Sequence, residues 1–558
     1  MAAPIVLLAA LAWRHRWMSD DGFINLRVVD NIQHGFGPVF NIDERVEAYT
    51  SPLWIAIIWA LSVVAPFLSL EYIAVGAGIA LSLVGLAAGT RGSLLLGHRG
   101  RSDSRIAVPV GAVVVATLAP FWDFATSGLD TGLTFAWLGI CFMGLASVVV
   151  DRGSRPRLVA VVVGLGPLVR PDLGIFALGF LIVLMVSRWA ERGPRTLTLL
   201  AWAAALPIAY QVFRMGYFAA VVPNTALAKD AGQADWARGW FYLKDLLTTY
   251  WLWIPLGALA ACLTALLIRL RSAGANRAAL LVGVTMACAL LHALYVVRLG
   301  GDFMGARMLL PAVFALALPV AVVGLSPARL LVPAALVVAA WGVVSLSTLR
   351  PHARASPYRI EDTRESFIQA TNNLHPVSLQ DFRGIPFLWL QDGVTLRRLS
   401  VSGGRRVVLR PRTSLGPLQV AARALPTLRA HVVESFEAIG IAGFAAGPYV
   451  HIVDVHGLAD PIAARLPITS RYEAGHEKQL GQAWVLARFA VPGSAPQGID
   501  PTQLAAARAA LSCGSLRDLT RALTQPLTVD RFFSNFTDSW SLSALHVPQD
   551  PRRAHKCA

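Results

Sequence analysis

The chain has 558 residues, 55% of them hydrophobic and 15% charged, with a mean hydropathy of +0.55 and a formal net charge of +16. This is too apolar for a soluble protein of such length and fits a polytopic membrane protein. The positive charge does not indicate nucleic-acid binding, because the arginines punctuate apolar runs instead of forming a basic stripe with interleaved aromatics.

Candidate membrane segments fall at roughly 2–17, 52–68, 72–96, 106–120, 132–150, 158–170, 173–187, 196–213, 251–268, 278–297, 308–325 and 330–349. The first runs into Arg14-His15-Arg16 with no small-residue cleavage site, so it reads as retained. Behind it comes Ser19-Asp20-Asp21-Gly22, the start of a helix with Ser19 as N-cap and both acids favoured by the helix dipole. Ile24, Val28 and Ile32 share one face, Arg27, Asp30, Asn31 and Gln33 occupy the rest, and Gly35 is the stop. Such a helix is expected to lie along the membrane surface. Capping accounts for the position of the acids but not for there being two of them. Adjacent ionised groups at a membrane edge are costly to place, so catalysis by Asp20 and Asp21 is the favoured reading.

The basic loops orient the chain. Arg99-Gly100-Arg101, Arg152 to Arg157, Arg188 to Arg195, Arg269 to Arg277 and Arg329 fall on one face, the cytoplasmic one by the positive-inside rule. The alternation puts Asp20 and Asp21 on the other face only if segment 52–68, bounded by Pro52 and Pro66, enters and leaves from the same side. That face collects Thr126 to Asp130, Val169-Arg170-Pro171-Asp172, the loop from Arg214 to Tyr250 and Gly300 to Arg307. Arg170, Lys229 and Arg307 there suit an anionic head group, with Asp172 and Asp302 beside them; a snorkelling cation or a structural ion pair is the plain alternative for each. Asp130 is read as supporting the site or capping the next span.

The expected architecture is a helical membrane domain over 1–350, of about eleven spans plus a re-entrant segment, and an extracytoplasmic mixed α/β domain over 351–558. In the latter, Arg406–Leu409 and Val450–Val455 read as strands and 501–512 as a helix. Asp454, His456 and Asp460 either face the site or hold an Asx turn; Trp389, Trp484 and Trp540 are candidates for stacking on sugars or for packing. Cys513 and Cys557 are expected to pair in an oxidising compartment, two free thiols being the alternative. No cysteine spacing matches a metal motif, and neither a metal nor another cofactor is assigned; two carboxylates with waters could hold a divalent cation.

Trp17 to Trp54 with its Asp-Asp pair, Ser127-Gly128-Leu129, Arg170-Pro171, Tyr210 to Tyr217, Thr225 to Ala231 and Gly300 to Met304 resemble the GT-C glycosyltransferases. The Arg214-Met215-Gly216-Tyr217 and Ala228-Lys229-Asp230-Ala231 runs narrow the resemblance to the terminal β-1,2-arabinofuranosyltransferase family of mycobacteria and related actinobacteria. His476-Glu477-Lys478 and the late cysteines extend it over nearly the whole chain, while Asp130 stands where the family pattern has Glu. The resemblance implies decaprenyl-phosphoryl arabinofuranose as donor in the outer leaflet, arabinan ends of arabinogalactan and lipoarabinomannan as acceptors, and a multi-pass inner-membrane location with the site facing the periplasm. It also implies net retention, since a β-phosphosugar yields a β linkage. Asp20 or Asp21, with Asp20 slightly favoured, is then the base for the acceptor hydroxyl, and Lys229, Arg170 and Arg307 receive the departing phosphate. The competing readings are a transferase for another lipid-linked sugar such as mannose and a polyprenyl-lipid transporter.

Overall fold

The computed structural model describes residues 2–99, 107–151, 155–325, 328–350, 358–384, 389–402, 405–409, 419–494 and 498–554. In chain order the first part contains α1 (Ala2–Arg14), α2 (Asp20–Gln33), α3 (Pro52–Val64), α4 (Leu70–Arg99), β1 (Ala107–Val108), α5 (Val110–Thr117), α6 (Ala119–Asp123), α7 (Thr131–Val149), α8 (Pro156–Gly164), α9 (Gly166–Val169), α10 (Gly174–Arg192), α11 (Thr198–Phe218), α12 (Asn224–Ala228), α13 (Trp236–Thr249), α14 (Trp253–Ser272), α15 (Asn276–Leu299), α16 (Leu310–Ala317), β2 (Val323–Gly324) and α17 (Ala328–Ser347). Among the described residues, seven helical stretches are long and apolar enough to cross a bilayer, and four shorter apolar ones accompany them, including Pro52–Val64. The chain is a multi-pass membrane protein.

Glycine sets how the central helices meet. A methyl group at Gly132 would run into the Gly78 carbonyl, and one at Gly139 into the Gly85 carbonyl. Both pairs are offset by the same number of residues, so α4 and α7 run parallel in backbone contact, as small residues permit between membrane helices. Gly139→Val is expected to cost about 1–3 kcal/mol through overpacking. Its thermal unfolding in detergent will show a lower midpoint than the parent; an unchanged midpoint would show that the helices can part freely.

Because α4 runs parallel to α7 and begins about two turns before it, both ends of α3 lie toward that same end of the bundle. Trp54 at the head of α3 donates to the Gly128 carbonyl (3.0 Å), and its tail turns into α4. Trp17, Ser19 and the loop before α7 meet at this end as well: the Trp17 indole donates to Asp123 (2.7 Å) and the Ser19 hydroxyl to Ser127 (2.8 Å).

The second part contains α18 (Thr363–Thr371), α19 (Trp389–Val401), β3 (Arg406–Leu409), β4 (Gln419–Ala422), β5 (Val432–Phe436), α20 (Gly440–Ala446), β6 (Val450–Asp454), α21 (Gln482–Phe489), α22 (Pro501–Leu511), α23 (Gly514–Thr524) and α24 (Val529–Ala544). The strands form one sheet in the order β4-β3-β5-β6, with β3/β5 and β5/β6 parallel and α20 as the β5-to-β6 crossover. Side chains alternate across it. Val432, Val450 and Ile452 join the core that continues into the helix bundle, whereas Val433, Val453 and Val455 pack in a separate core with Trp484 and Val485 of α21. Trp484 is therefore wholly buried and cannot stack on a sugar, while Trp540 is exposed.

The helix α2 departs from the expected surface helix. Ser19 caps it as read, accepting from Gly22 N–H (3.0 Å), and the helix gives way at His34 and Gly35. Two of its polar residues, however, Arg27 and Asn31, are buried, Arg27 reaching α20 and the sheet, while Asp30 and Gln33 remain at least partly exposed. Arg27 donates to the carbonyls of Phe40 (2.7 Å), Val450 (2.6 Å) and Gly443, and Asn31 donates to Val39 (2.8 Å). The amphipathic pattern was read as an apolar face for lipid and a polar face for water. Asn31 and part of Arg27 are satisfied instead by carbonyls of the 39–40 turn, and the rest of Arg27 by Gly443 and Val450 more than 400 positions away, which no local pattern encodes.

Candidate active site

The N-terminus of α2 is wedged between the loop before α7 and the N-terminus of α20. Gly22 lies against Ser127 O and Gly128 Cα, where a Cβ would collide, and Gly128 itself has a left-handed φ of +81°. Successive helical residues point about 100° apart, so the two adjacent acids leave the helix in different directions. The Asp20 carboxylate accepts from the backbone N–H groups of Gly440 (3.0 Å) and Ile441 (2.7 Å), tying α2 to α20. Burial pushes its carboxyl up to about 7, against the pull of these two bonds. Asp21 faces a cavity of about 220 Å³ instead.

That cavity gathers most of the residues singled out in the sequence: Asp21, Asp130, Arg170, Asp172, Lys229, Asp302 and Arg307 all line it. They form two groups. In the first, Arg307 Nε donates to Asp302 Oδ2 (2.8 Å), with Nη2 on the same oxygen, and Lys229 Nζ stands 3.7 Å from Asp302 Oδ1. Two cations face one carboxylate. Burial would raise the Asp302 carboxyl, but Arg307 and Lys229 outweigh it and hold it below its ordinary value. In the second, Arg170 grips Asp172 in a two-pronged pair (3.0 and 2.7 Å) and lies 3.8 Å from Asp130, so two carboxylates face one guanidinium. Asp130 precedes α7 but makes no side-chain cap bond, so the capping reading is replaced by its place beside Arg170; burial raises its carboxyl. His292 Nε2, deep in α15, bonds Asp172 Oδ2 at 2.7 Å from behind.

Among the described residues, the Asp21 side chain makes no hydrogen bond or ion pair, although the Arg307 charge reaches it. Among the described residues it is the one unengaged carboxylate lining the cavity. Lys229 is the freest cation, its side chain 35% exposed and lying against Gly475.

Asp454 and His456 stand next to the cavity rather than in it. The Asp454 carboxylate accepts from His456 N–H and Ala459 N–H (both 2.9 Å), forming the Asx-type turn that was one of the two readings. His456 Nδ1 bonds the Lys478 carbonyl at 2.7 Å. The turn still serves the site, because Asn224 donates to Gly457 O (2.7 Å) and Asp460 O (3.2 Å) and so seats α12, which ends at Lys229. Cys513 is disulfide-bonded; Cys557, its expected partner, lies outside the described residues, as do Gly100-Arg101 and Arg152.

Several site residues were not identified from their types. Arg238 on α13 donates to Glu477 (2.7 Å) and Gly300 O (3.0 Å), and both ion-pair partners line the cavity. Glu47 is buried against Arg214 (2.6 and 3.2 Å) and the Tyr210 hydroxyl (2.6 Å), fixing the segment before Tyr49-Thr50-Ser51 onto α11. His476 stands between Glu473 (3.3 Å) and the edge of Phe303, and burial lowers its imidazole below the ordinary value. A lone histidine in an apolar helix was the available signal for His292; nothing local flagged Arg238. No group of three or more His, Cys, Asp or Glu among the described residues is placed to hold a metal ion. On the far side of the Gly305-Ala306 turn lies a larger open cleft of about 740 Å³, lined by Asp123, Arg350 and Glu361 among others.

The C-terminal region matches a known family described as the AftB family C-terminal domain, over residues 425–556. The chain is 32% identical to the terminal beta-(1->2)-arabinofuranosyltransferase of Mycobacterium tuberculosis, across 99% of this chain and 95% of that protein. It is also 32% identical to the protein of the same name from Corynebacterium glutamicum, across 94% of this chain and 82% of the relative. No solved structure matches it. With relatives of that identity aligned almost end to end, and a cavity of paired charges at the end of its helix bundle, the chain belongs to the terminal β-(1→2)-arabinofuranosyltransferase family of glycosyltransferases.

Proposed function

We propose that the protein moves an arabinofuranosyl unit from decaprenyl-phosphoryl arabinose to the non-reducing ends of cell-wall arabinan, forming the terminal β-1,2 linkage. The reaction takes place at the outer face of the inner membrane. In this reading the chain crosses eleven times, with α2, α3, α12 and α13 not crossing, so that by the positive-inside rule the basic loops are cytoplasmic, the cavity is periplasmic and residues 351–558 form the extracytoplasmic domain. The observation that carries the reading is the division of the cavity: a free carboxylate, Asp21, beside one cation-rich and one carboxylate-rich group.

The cation-rich group suits the donor phosphate. Arg307 and Lys229 exceed Asp302 by one charge and stabilise the phosphate as the anomeric C–O bond breaks and its electron pair passes to the phosphate oxygen. The carboxylate-rich group around Arg170 holds sugar hydroxyls and favours the positive charge that develops on the ring. Asp21 takes the proton of the acceptor hydroxyl as its oxygen bonds to the anomeric carbon. Retention by double displacement calls for a nucleophilic carboxylate with an acid/base partner, and Asp20 is turned away to α20. A single displacement, with the acceptor entering on the face the phosphate leaves, fits this arrangement better. The cleft beyond Gly305-Ala306 gives a polymeric acceptor a wet approach separate from the lipid donor.

The test is transfer of radiolabelled arabinose from synthetic decaprenyl-phosphoryl arabinose to a short arabinan acceptor by the purified protein. A β-1,2-linked product is expected, with a rate unchanged after EDTA, since arginine and lysine are proposed to do the work of phosphate binding. Transfer from a mannosyl donor alone would replace the donor assignment, and donor movement across vesicles without any product would replace the enzyme reading for this chain. Loss of transfer with EDTA, restored by a divalent cation, would overturn the phosphate assignment.

A further inference from the structure

The surface helix α24 is amphipathic in the reverse of the usual sense. Its buried residues are Asn535, Ser539 and Leu542, and two of the three are polar. Asn535 donates to Gly216 O of α11 (3.0 Å) and to Ala522 O (3.2 Å), while the Ser543 hydroxyl accepts from Val221 N–H (3.0 Å). Its large apolar residues point outward: Val529, Phe533 and Trp540 are 74%, 63% and 70% exposed, and Phe536 is partly so. The spacings from 529 through 533 and 536 to 540 are four, three and four, which places all four on one narrow stripe. At 100° per residue this stripe lies between the buried side and a polar side of Asp530, Ser534, Thr537, Asp538 and Ser541. The helix thus has three successive flanks, one packed on protein, one apolar and exposed, and one polar.

We propose that the apolar stripe of α24 is buried in the interfacial layer of the bilayer, anchoring the C-terminal region to the membrane beside α11. The bilayer is the occupant because of where α24 sits. It packs on the last turn of α11, where Phe532 lies against Gly216, and α11 is a membrane-crossing stretch whose Trp202, Leu206, Ile208 and Val212 are exposed. The stripe therefore continues a surface that already faces lipid. The depth also agrees. Helix α14 starts at the same end of the bundle as α11 stops, and Trp251 and Trp253 at its head are exposed, marking the level at which tryptophan collects in a bilayer. A helix with one apolar stripe carrying Trp and Phe beside a polar flank has the build of an interfacial helix.

The inference rests on the multi-pass reading, and its test separates the two. Nitroxide labels are placed at Phe533→Cys, Trp540→Cys, Asp538→Cys and Ile208→Cys in the full-length protein in phosphatidylethanolamine/phosphatidylglycerol nanodiscs, one copy per disc. Unsubstituted protein supplies the labelling background; Cys141, Cys262 and Cys288 are buried and Cys513 is in a disulfide. Collision with oxygen is expected to exceed collision with a water-soluble nickel chelate at 533, 540 and 208, and the reverse at 538. If 208 reports lipid while 533 and 540 match 538, the stripe lies in water and the proposal falls alone. If 208 also reports water, the multi-pass reading falls and takes the anchor with it. Labels at 533 that broaden one another only when two copies share a disc, with no excess of oxygen collisions, would assign the stripe to a second copy of the chain and overturn the bilayer as occupant.

Discussion

Replacing Asp21 by Asn is expected to lower the rate of transfer by about 10²–10⁴-fold, the range a general acid–base group contributes, with little loss of folding stability. The side chain has no hydrogen bond or ion pair to lose among the described residues, and the amide fills the same space at the cavity wall. Asp20→Asn has the opposite profile. It places an amide where a carboxylate now accepts two backbone N–H groups of α20, so the expected damage is to the junction of α2 with the C-terminal sheet. Asp20 also carries a pH signature. Its carboxyl moves from 3.8 to about 7 on folding, so the folded chain keeps a proton that the unfolded chain releases. The stability this group contributes is complete below about pH 4 and is lost as the pH rises through about 7. Thermal unfolding of the parent will show this fall in the midpoint, and Asp20→Asn will flatten it. Comparing rate with unfolding midpoint for the two variants therefore distinguishes a catalytic residue from a structural one. Parental rates in Asp21→Asn would move the search for the base to Asp130.

The acid pair shows how far reading the chain could go. That a Ser-Asp-Asp start opens a helix follows from capping chemistry and from the first turn's preference for acids. Which acid serves the reaction depends on the rotation of that helix about its axis, and this is set by Gly22 against Ser127-Gly128 and by Arg27 reaching Gly443 and Val450. Those partners lie far along the chain, so the sequence leaves the choice between the acids open, with Asp20 slightly favoured, while the geometry turns Asp21 to the cavity. The same distinction holds elsewhere. Strands at 406–409 and 450–454 and the helix from Pro501 were legible because they are local apolar runs or carry a proline near the start. The grouping of Arg170, Lys229, Asp302 and Arg307 was legible because span alternation sends all their loops to one end. The Arg238–Glu477 pair, 239 residues apart, was not, since either residue alone resembles a solvated charge. Burial of α2 was misread for a related reason: Arg27 and Asn31 look solvent-facing until carbonyls from β6 and from the 39–40 turn are placed around them.

Arg307→Met is expected to impair both folding and transfer, and the two losses can be separated. Asp302 is only 2% exposed, and without Arg307 it keeps Lys229 at 3.7 Å and its neighbour Phe303 N–H at 3.1 Å. A buried carboxylate left without its main partner costs about 3–5 kcal/mol. Removing a donor aimed at developing negative charge lowers the rate by about 10²–10³-fold. Changing Asp302 to Asn in the same protein takes away the uncompensated charge, so Arg307→Met/Asp302→Asn should recover most of the unfolding midpoint while transfer stays low. Lys229→Met, at the most exposed cation of the group, should unfold close to the parental midpoint and show its loss mainly as weaker use of the lipid-phosphate donor. If the double variant regains transfer together with stability, Arg307 serves only to neutralise Asp302. The phosphate must then be met from the Arg170 side, where two carboxylates against one guanidinium make an anion hard to hold, and the division of labour across the cavity would have to be reversed.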